Sequence, residues 1–207
     1  EGGQIFRYLW SSTDGGESFR VAYRAMYPEL GKGDTRFRKL LAVGDTLYVF
    51  GYVNPYVDGG PLEGRHLRLV DGNAVELTGE LAPLVVYRTY ALPDGTGLVV
   101  TRAADNRTRA FRARADGFSE LASWSSRRVL DVAVAAQDGQ VLLLCGDGGA
   151  SERFSVAVAP LDALDSLSEA VDLGLEPPSA LALWHGALFI GTSAGALWKA
   201  LPAPVPR

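Results

Sequence analysis

The chain has 207 residues, a formal net charge of -4 and 47% hydrophobic residues. This balance is neither that of a basic nucleic-acid-binding domain nor that of a disordered acidic segment, so we expect no nucleic-acid partner. Its 24 glycines and 11 prolines indicate many tight turns, and therefore many short strands rather than long helices. Since no apolar run reaches the roughly 18 residues of a membrane-spanning helix, we also expect no membrane span.

The first predicted element is a polar hairpin over residues 1–27, with its turn at Asp14-Gly15. After it, a hairpin of two apolar strands recurs four times at a spacing of about 44 to 50 residues. The turns of these four hairpins lie at Gly44-Asp45, Asp94-Gly95, Asp138-Gly139 and His185-Gly186. The first three copies are each followed by a second hairpin that is more polar and alternates in hydropathy.

This order predicts four-stranded antiparallel blades, because inner strands buried on both faces read as apolar runs and outer strands alternate. Blades repeated at this spacing are typical of a β-propeller. A β-sandwich would also give short strands and frequent turns, but it offers no reason for a repeat of this length. We therefore predict an all-β propeller with about four to five blades visible in the chain.

We expect one propeller domain over residues 1–201 and a proline-rich tail over residues 202–207. The predicted blade parts are residues 1–27, 36–80, 84–121, 128–173 and 179–201. These parts hold two, four, four, four and three strands, which do not divide into whole blades. Either Ala196 to Leu201 is not the third strand of a blade and a four-bladed ring closes, or the chain is the C-terminal part of a larger propeller with a companion N-terminal segment. The absence of a leader sequence favours the second alternative.

The turn of the first hairpin carries a motif, because residues 12–19 read STDGGESF. This segment resembles the Asp-box, or BNR repeat, of sialidases, sortilin-type receptors and many secreted propellers. The defined positions of the pattern are Ser12, Asp14, Gly16, Ser18 and Phe19. The resemblance implies a structural role, in which Asp14 accepts backbone N–H groups, Gly16 adopts a positive φ and Phe19 fills the space between strands. In the family the box lies opposite the ligand face, so we expect no catalytic role for Asp14.

In propellers generally, ligands bind on the face where the loops between the second and third strands of each blade meet the starts of the inner strands. We expect a carbohydrate or protein ligand there, bound by residues at these positions: Arg38, Arg88, Arg128, Asn54, Asp58, Asp105, Asn106 and Asp147. Arg38 and Arg88 each lie six residues before a turn and are predicted to occupy equivalent positions. The oxygen-rich loops could hold calcium, but the same residue types are the ordinary vocabulary of turns, and we expect no cofactor.

The family resemblance also raises the possibility of catalysis. In sialidases three arginines clamp a carboxylate, and the mechanism needs a tyrosine nucleophile supported by a glutamate, with an aspartate as acid and base. Tyr87 and Tyr90 flank Arg88, but their packing between blades is the competing interpretation, and the Arg-Ile-Pro segment of sialidases is absent. A noncatalytic recognition or scaffold module is therefore favoured. A sialidase-like glycoside hydrolase and a purely structural propeller remain alternatives, and we expect a secreted or periplasmic bacterial protein.

The remaining chemistry-bearing residues point to no site of their own. Cys145 lies in an apolar run and is predicted to be buried. His66 and His185 occur singly, without the spacing of metal ligands or a neighbouring nucleophile, so both are predicted to be surface or hydrogen-bonded residues. The four tryptophans are spread over different blades, and an exposed one on the rim would suit stacking against a sugar ring.

Overall fold

The computed structural model describes residues 5–27, 33–54, 62–71, 73–102, 107–125, 128–135, 138–147, 152–174 and 176–200. Within these ranges the chain forms 17 β-strands and no α-helix. In chain order the strands are β1 (Ile5–Ser11), β2 (Arg20–Tyr27), β3 (Asp34–Val43), β4 (Thr46–Asn54), β5 (Glu63–Val70), β6 (Asn73–Glu76), β7 (Val85–Ala91), β8 (Gly97–Arg102), β9 (Thr108–Arg114), β10 (Gly117–Trp124), β11 (Arg128–Ala135), β12 (Gln140–Gly146), β13 (Phe154–Pro160), β14 (Ser168–Gly174), β15 (Pro178–Trp184), β16 (Ala187–Thr192) and β17 (Leu197–Ala200).

The strands form five sheets in which neighbours in sequence are neighbours in space. Three sheets have four strands, namely β3–β6, β7–β10 and β11–β14, while β1–β2 has two and β15–β17 has three. The predicted all-β architecture of four-stranded antiparallel sheets is confirmed. Because β17 pairs with β16, with Leu188 opposite Ala200, the expectation that this segment is not the third strand of its sheet is wrong. The number of blades and the closure of a ring stay predictions.

Burial explains why the sequence divides into apolar and polar hairpins. The second strand of each four-stranded sheet is almost entirely buried, as in β8 and β12, whereas the outermost strands β6 and β14 are largely exposed. A strand covered on both faces needs apolar side chains in succession, and a strand that meets water on one face can alternate. The hydropathy pattern therefore reports the position of a strand within its sheet.

Each of the four innermost strands carries one extra residue opposite its partner strand. The pairing of β3, β7, β11 and β15 with their partners shifts once in every case, and the extra residues of these bulges are Arg38, Tyr87, Leu130 and Ser179. The predicted equivalence of Arg38 and Arg88 is therefore wrong, since Tyr87 is the counterpart of Arg38 and Arg88 pairs with Val100. Counting back from the turns misleads because the β3–β4 turn has two residues and the β7–β8 connection has five.

The chain divides into two compact units. The first comprises residues 1–104 and 112–119, and the second comprises residues 105–111 and 120–207. No helix in the described ranges is long and apolar enough to cross a membrane. The single domain expected over residues 1–201 stays a prediction.

In the first unit the β1–β2 hairpin packs over the sheet β3–β6. Val49 and Leu67 are buried beneath Leu9 and Tyr23. The hydroxyl of Tyr23 donates a 2.6 Å hydrogen bond to Oε1 of Glu76. Burial, reinforced by this carboxylate, raises the pKa of Tyr23 to about 12, so the phenol keeps its proton and the bond persists throughout the physiological range.

In the second unit the sheets β11–β14 and β15–β17 share an apolar core that includes Leu144, Val156 and Ile190. The buried carboxylate of Asp131 joins the inner strands of these sheets, because Oδ2 accepts the backbone N–H of Leu181 at 2.9 Å. Its Oδ1 lies 2.8 Å from the backbone nitrogen of Val132. The predicted burial of Cys145 in this unit is confirmed.

Candidate functional site

The strongest candidate site lies in the first unit, where β1 and β3 bring three arginines together. Arg7, Arg36 and Arg38, together with Phe37, line an open groove of about 380 Å³. Arg36 precedes the β3 bulge by two residues and Arg38 is the bulged residue itself. A bulge changes the direction of the strand and of the side chain that it carries, and at this bulge the consecutive residues Arg36, Phe37 and Arg38 all line the groove.

A buried carboxylate holds two of these arginines. The side chain of Asp34 is 7% exposed, and its Oδ1 lies 3.0 Å from Nη2 of Arg7. Nε of Arg36 donates a 2.9 Å hydrogen bond to Oδ2 of the same carboxylate. Asp34 and then Tyr52 raise the pKa of Arg36 above its usual value, so this guanidinium keeps its charge.

Three guanidinium groups therefore line this groove, and two of them pair with the carboxylate of Asp34. Arg38 is exposed and forms no ion pair with any residue in the described part of the chain. One negative charge against three positive charges leaves these four side chains with a net positive charge. A groove with this balance attracts oxyanions, and guanidinium groups match carboxylate and sulfate geometry through paired N–H donors.

Of the residues predicted from the sequence, Arg38 lines this groove. Asn54, also predicted, lies opposite Asp34 at the start of β3, whereas Arg38 lies in the middle of that strand. The roles of Arg7 and Asp34 were not predicted. The alternation of charges in DTRFR, residues 34–38, is the signal that could have indicated Asp34, because charged residues at the start of an inner strand require partners.

A glycine and a histidine fix the backbone beside the groove. A Cβ on Gly51 would overlap the carbonyl oxygen of Arg36 and lie 2.8 Å from the ring of Phe37, so β3 and β4 approach at a distance that glycine permits. The N–H of Gly51 donates to Nδ1 of the buried His66 at 3.3 Å. On the other side of the ring, Nε2 of His66 lies 2.8 Å from the carbonyl oxygen of Leu84.

With these two partners, His66 is neutral and carries its proton on Nε2. Nε2 donates to the carbonyl oxygen of Leu84, and Nδ1 accepts the N–H of Gly51. Burial lowers the pKa of His66 below its usual value, and the bond to the Leu84 carbonyl opposes this shift only in part. The prediction that His66 is a hydrogen-bonded residue is confirmed. His185 lies exposed at a turn with a φ of 47°.

Arg88 lies in a different environment, also in the first unit. Its guanidinium carbon is 4.6 Å from the centroid of the Tyr87 ring, and that of Arg102 is 5.1 Å from the same ring. Tyr87 is partly buried and its ring contacts both cations, which supports the packing interpretation of this tyrosine over a nucleophilic role. Arg88 itself remains partly buried.

In the second unit the structure brings together the proposed residues Arg128 and Asp147. Arg128 lies opposite Gly146 in the β11–β12 pair, and Asp147 is the residue that follows Gly146 in the chain. The guanidinium of Arg128 forms a bidentate pair with Glu152, at 3.0 Å from Nε and 2.5 Å from Nη2. A Cβ on Gly146 would overlap this glutamate side chain. Arg128 is thus already neutralised.

The second arginine of this rim is paired as well. Nη2 of Arg153 lies 2.5 Å from Oδ2 of Asp172, and the backbone N–H of Arg153 donates to Oδ1 of Asp147 at 3.1 Å. The N–H of Gly174 and then Arg153 lower the pKa of Asp172. These groups line a cavity of about 230 Å³, in which carboxylates outnumber arginines.

The other proposed ligand residues, Asp58, Asp105 and Asn106, lie outside the described residues. Within the described ranges, no group of three or more histidine, cysteine, aspartate or glutamate side chains could hold a metal ion. Calcium binding by the loops at this rim therefore has no support from the part of the chain that the structure describes.

The predicted Asp-box turn has the expected hydrogen bonds. Oδ1 of Asp14 accepts the N–H of Ser18 at 3.0 Å, and the Ser18 hydroxyl donates to Oδ2 at 2.5 Å. Oγ of Ser12 accepts the N–H of Gly16 at 2.8 Å, and Gly16 has the predicted positive φ, 96°. Ser18 contributes most to holding the pKa of Asp14 far below its usual range.

The predicted role of Phe19 is wrong. Its side chain is 62% exposed and lies over Gly16, with the ring 4.0 Å from the position of a Cβ there, and does not fill a space between strands. The hydrogen bonds of Ser12, Asp14 and Ser18 hold the turn, while this ring lies at the surface. Trp10 and Trp184 are also largely exposed, at 56% and 65%, whereas Trp124 is buried.

Comparison with known proteins gives a likeness of fold without a family. No protein-family model matches the chain, and no curated protein matches it. Among solved structures, the computationally designed Ika4 protein is similar with a TM-score of 0.50 and 13% identity, over 82% of this chain and 93% of that one. An endo-arabinase from Bacteroides thetaiotaomicron VPI-5482 has a TM-score of 0.45 and 11% identity, over 91% and 82%. A chain of the Nidogen/Laminin complex has 0.46 and 12%, over 92% and 82%.

Proposed function

We propose that this chain belongs to a noncatalytic recognition β-propeller that binds a carbohydrate or protein ligand. The propeller is supported by the repeated order of inner and outer strands and by the bulge that recurs in all four innermost strands. The observation that carries the function is the groove of Arg7, Arg36 and Arg38, because buried Asp34 fixes two of these arginines while exposed Arg38 extends the charged surface.

Recognition, and not catalysis, suits this groove because its described charged side chains are one carboxylate and three arginines. Asp34 is already engaged by Arg7 and Arg36, so a proton transfer through it would break the two ion pairs that position the arginines. A glycoside hydrolase needs two carboxyl groups, or a tyrosine with a carboxylate, around the bond that it cleaves. The guanidinium groups of the groove instead donate hydrogen bonds to a ligand that is released without chemical change.

We further propose that the hairpin turn at Asp14 is an Asp-box and that the protein acts outside the cytoplasm. The Asp-box proposal is supported by the hydrogen bonds of Ser12, Asp14 and Ser18, which close the turn. On this proposal Asp14→Ala speeds amide hydrogen exchange at Gly16 and Ser18 and leaves ligand binding unchanged. Loss of binding in this variant, with exchange unaltered, would contradict the structural role.

The experiment that tests the function is affinity electrophoresis of the whole chain through gels that contain soluble polysaccharides, both neutral and acidic. We expect retardation by at least one polysaccharide and no reducing sugar released from it. Arg38→Gln is expected to abolish the retardation. Arg114→Gln is the matched control, because Arg114 is an exposed arginine of the same unit whose guanidinium donates to Ser119. Equal retardation of both variants would remove the groove as the binding site, and released sugar would overturn the noncatalytic assignment.

A further inference from the structure

One sheet of the second unit has a strand fewer than the sheet on which it packs. In the sheet β11–β14 the third strand, β13, is covered along its edge by β14. The sheet β15–β17 has three strands within the described residues. Its third strand, β17, reads LWKA, and Leu197 in it is 69% exposed. β17 therefore has the apolar composition of a covered strand, while no described strand pairs with its second edge.

The backbone of β17 directs hydrogen-bonding groups to this open edge. The N–H of Thr192 donates to the carbonyl oxygen of Ala196, and the β16–β17 register continues from there without a shift. Because the residues of an antiparallel strand bond to their partner strand at alternate positions, Ala196 and Trp198 face β16. The N–H and C=O groups of Leu197 and Lys199 then face away from it. Such an edge is a template for a further strand.

An apolar groove of about 380 Å³ lies beside this edge. This space, the β17 groove, is lined by Val171, Asp172, Leu173, Ile190, Trp198 and Lys199. Val171, Leu173 and Trp198 also pack against the core that the two sheets share, and all three are only partly buried. The groove thus continues that core to the surface between β14 and β17. A fourth strand beside β17 would extend the same face-to-face packing over β14.

The charges at the groove favour an acidic occupant. The carboxylate of Asp172 is paired with Arg153, whereas the exposed Lys199 forms no ion pair with any residue in the described part of the chain. A lysine on a short edge strand disfavours pairing with a second copy of that strand. An acidic side chain directly opposite Lys199 would instead stabilise the pairing.

We propose that β17 and the β17 groove bind an extended peptide segment of another protein, which adds an antiparallel fourth strand to the sheet β15–β17. Backbone bonds to Leu197 and Lys199 supply affinity, and side chains at alternate positions supply specificity. Apolar side chains of the peptide lie in the groove, and an acidic side chain lies beside Lys199. This site lies in the second unit and does not rest on the arginine groove of the proposed function.

The test is titration of the whole chain with the peptide TVEVEVT, blocked at both ends, followed by amide hydrogen exchange measured by NMR. We expect saturating peptide to slow exchange at Leu197 and Lys199 about tenfold or more, because their N–H groups gain an acceptor. The amide of Trp198, which already faces β16, should change by less.

Peptides methylated at backbone nitrogens separate strand pairing from side-chain contact. A glutamate opposite Lys199 directs its N–H toward β17, whereas a valine opposite Trp198 directs its N–H away. N-methylation of both glutamates should therefore weaken binding about tenfold or more. N-methylation of two valines is the matched control and should weaken binding much less. Equal affinity of the two methylated peptides would overturn the added strand.

Lys199→Glu tests the preference for an acidic peptide. We expect this variant to bind TVEVEVT about fivefold more weakly than the native chain, and to prefer TVKVKVT, in which lysines replace the glutamates. Arg114→Glu makes the same change of charge at an exposed arginine of the first unit and should leave both affinities unchanged. Unchanged affinities in Lys199→Glu, with its melting temperature retained, would overturn the acidic preference.

The remaining outcomes also decide the matter. Absence of peptide binding, or binding without slowed exchange at Leu197 and Lys199, would overturn the inference. Slowed exchange at these amides that grows with protein concentration before peptide is added would assign the edge to a second copy of this chain and overturn the separate partner. Retardation in the polysaccharide gels should be the same for Lys199→Glu and the native chain, so the proposed function stands or falls by itself.

Discussion

Both units of the chain place an arginine near the start of a first strand, and they surround these arginines differently. In the first unit Arg36 and Arg7 share the buried carboxylate of Asp34, and Arg38 extends beside them. In the second unit Arg128 pairs with Glu152. One arrangement has more arginines than acids and the other pairs each arginine with an acid.

This difference shows that position in the repeat does not determine how charges at the start of an inner strand are paired. In the first unit two arginines share one carboxylate, and in the second unit Arg128 has a carboxylate of its own. An ion pair at the surface, such as Arg128 with Glu152, contributes little to stability and offers little to a ligand. A buried acid costs free energy unless its ion pairs and hydrogen bonds compensate for the lost hydration, and Arg7 and Arg36 supply that compensation at Asp34.

The largest expected effect comes from Gly51, which allows β3 and β4 to lie close together beside the groove of the first unit. Gly51→Ala places a Cβ against the backbone oxygen of Arg36, and backbone atoms cannot move aside independently. We expect the free energy of unfolding to fall by about 3 kcal/mol, the upper part of the range for overpacking. Urea denaturation followed by fluorescence measures it.

Gly146→Ala is the matched control in the second unit, because its Cβ would meet the side chain of Glu152 and not backbone. Glu152 can rotate away and give up its pair with Arg128, at a cost of about 0.5 kcal/mol. A loss as large as that of Gly51→Ala would mean that the two rims are equally rigid, and the comparison would fail.

The next effect concerns His66, which stabilises the first unit. His66→Phe keeps an aromatic ring but leaves the N–H of Gly51 and the carbonyl of Leu84 without their partner. We expect a loss of about 2 kcal/mol in the free energy of unfolding, since unsatisfied buried groups cost about 1–3 kcal/mol. A loss within experimental error would show that water or a neighbouring group replaces the imidazole.

The same histidine makes stability depend on pH. Burial lowers the pKa of His66 in the folded state, so the unfolded chain binds a proton more readily. Stability from this group is fully present above the ordinary histidine pKa of about 6.5 and decreases as pH falls below it. Denaturation at a series of pH values should show this decline in the native chain and in His185→Gln, but not in His66→Phe. An identical decline in His66→Phe would assign it to other groups.

A smaller loss of stability is expected when the buried carboxylate of the second unit is removed. Asp131 in the second unit accepts the backbone N–H of Leu181, whereas Asp34 binds arginine side chains. We expect Asp131→Asn to lower the free energy of unfolding by about 1 kcal/mol, because its amide group can face one N–H and lose that bond. Thermal denaturation with calorimetry measures this loss. Unchanged stability would show that the amide oxygen takes over both bonds.

The smallest effect is expected at the surface pair of the second unit. Arg128→Gln removes its pairing with Glu152, and both side chains meet solvent, at 44% and 21% exposure. We expect a change of about 0.5 kcal/mol or less in the free energy of unfolding and no change in the retardation of the chain by polysaccharides in the affinity gels. Weakened binding in this variant would place part of the ligand site in the second unit and contradict the contrast between the two rims.

Much of the fold could be predicted because its signals are local. Glycine-containing turns and the contrast between apolar and alternating strands depend on residues close in sequence, and they predicted two, four, four, four and three strands in chain order. The polar bonds of the Asp14 turn span four residues, so the motif was sufficient to predict them. Burial of Cys145 followed from its apolar neighbours.

The candidate site was predicted only in part because its geometry depends on partners distant in the chain. Arg38 and Asn54 were proposed from their position in the repeat, but Arg7 meets Asp34 across 27 residues, and no local pattern connects them. The exposed position of Phe19 likewise depends on what packs beside the hairpin, and a motif does not encode that.

The amino-acid sequence by itself determined the all-β class, the order of the strands and the polar turn, since each depends on short-range hydropathy and backbone preference. The tertiary structure decided the bulges, the neutral His66 and the choice between a groove with excess positive charge and a closed set of ion pairs. Strand register and burial depend on which strands pair and how closely they pack. A one-residue shift at Arg38 changes which side chain reaches the groove, and the composition of the strand remains the same.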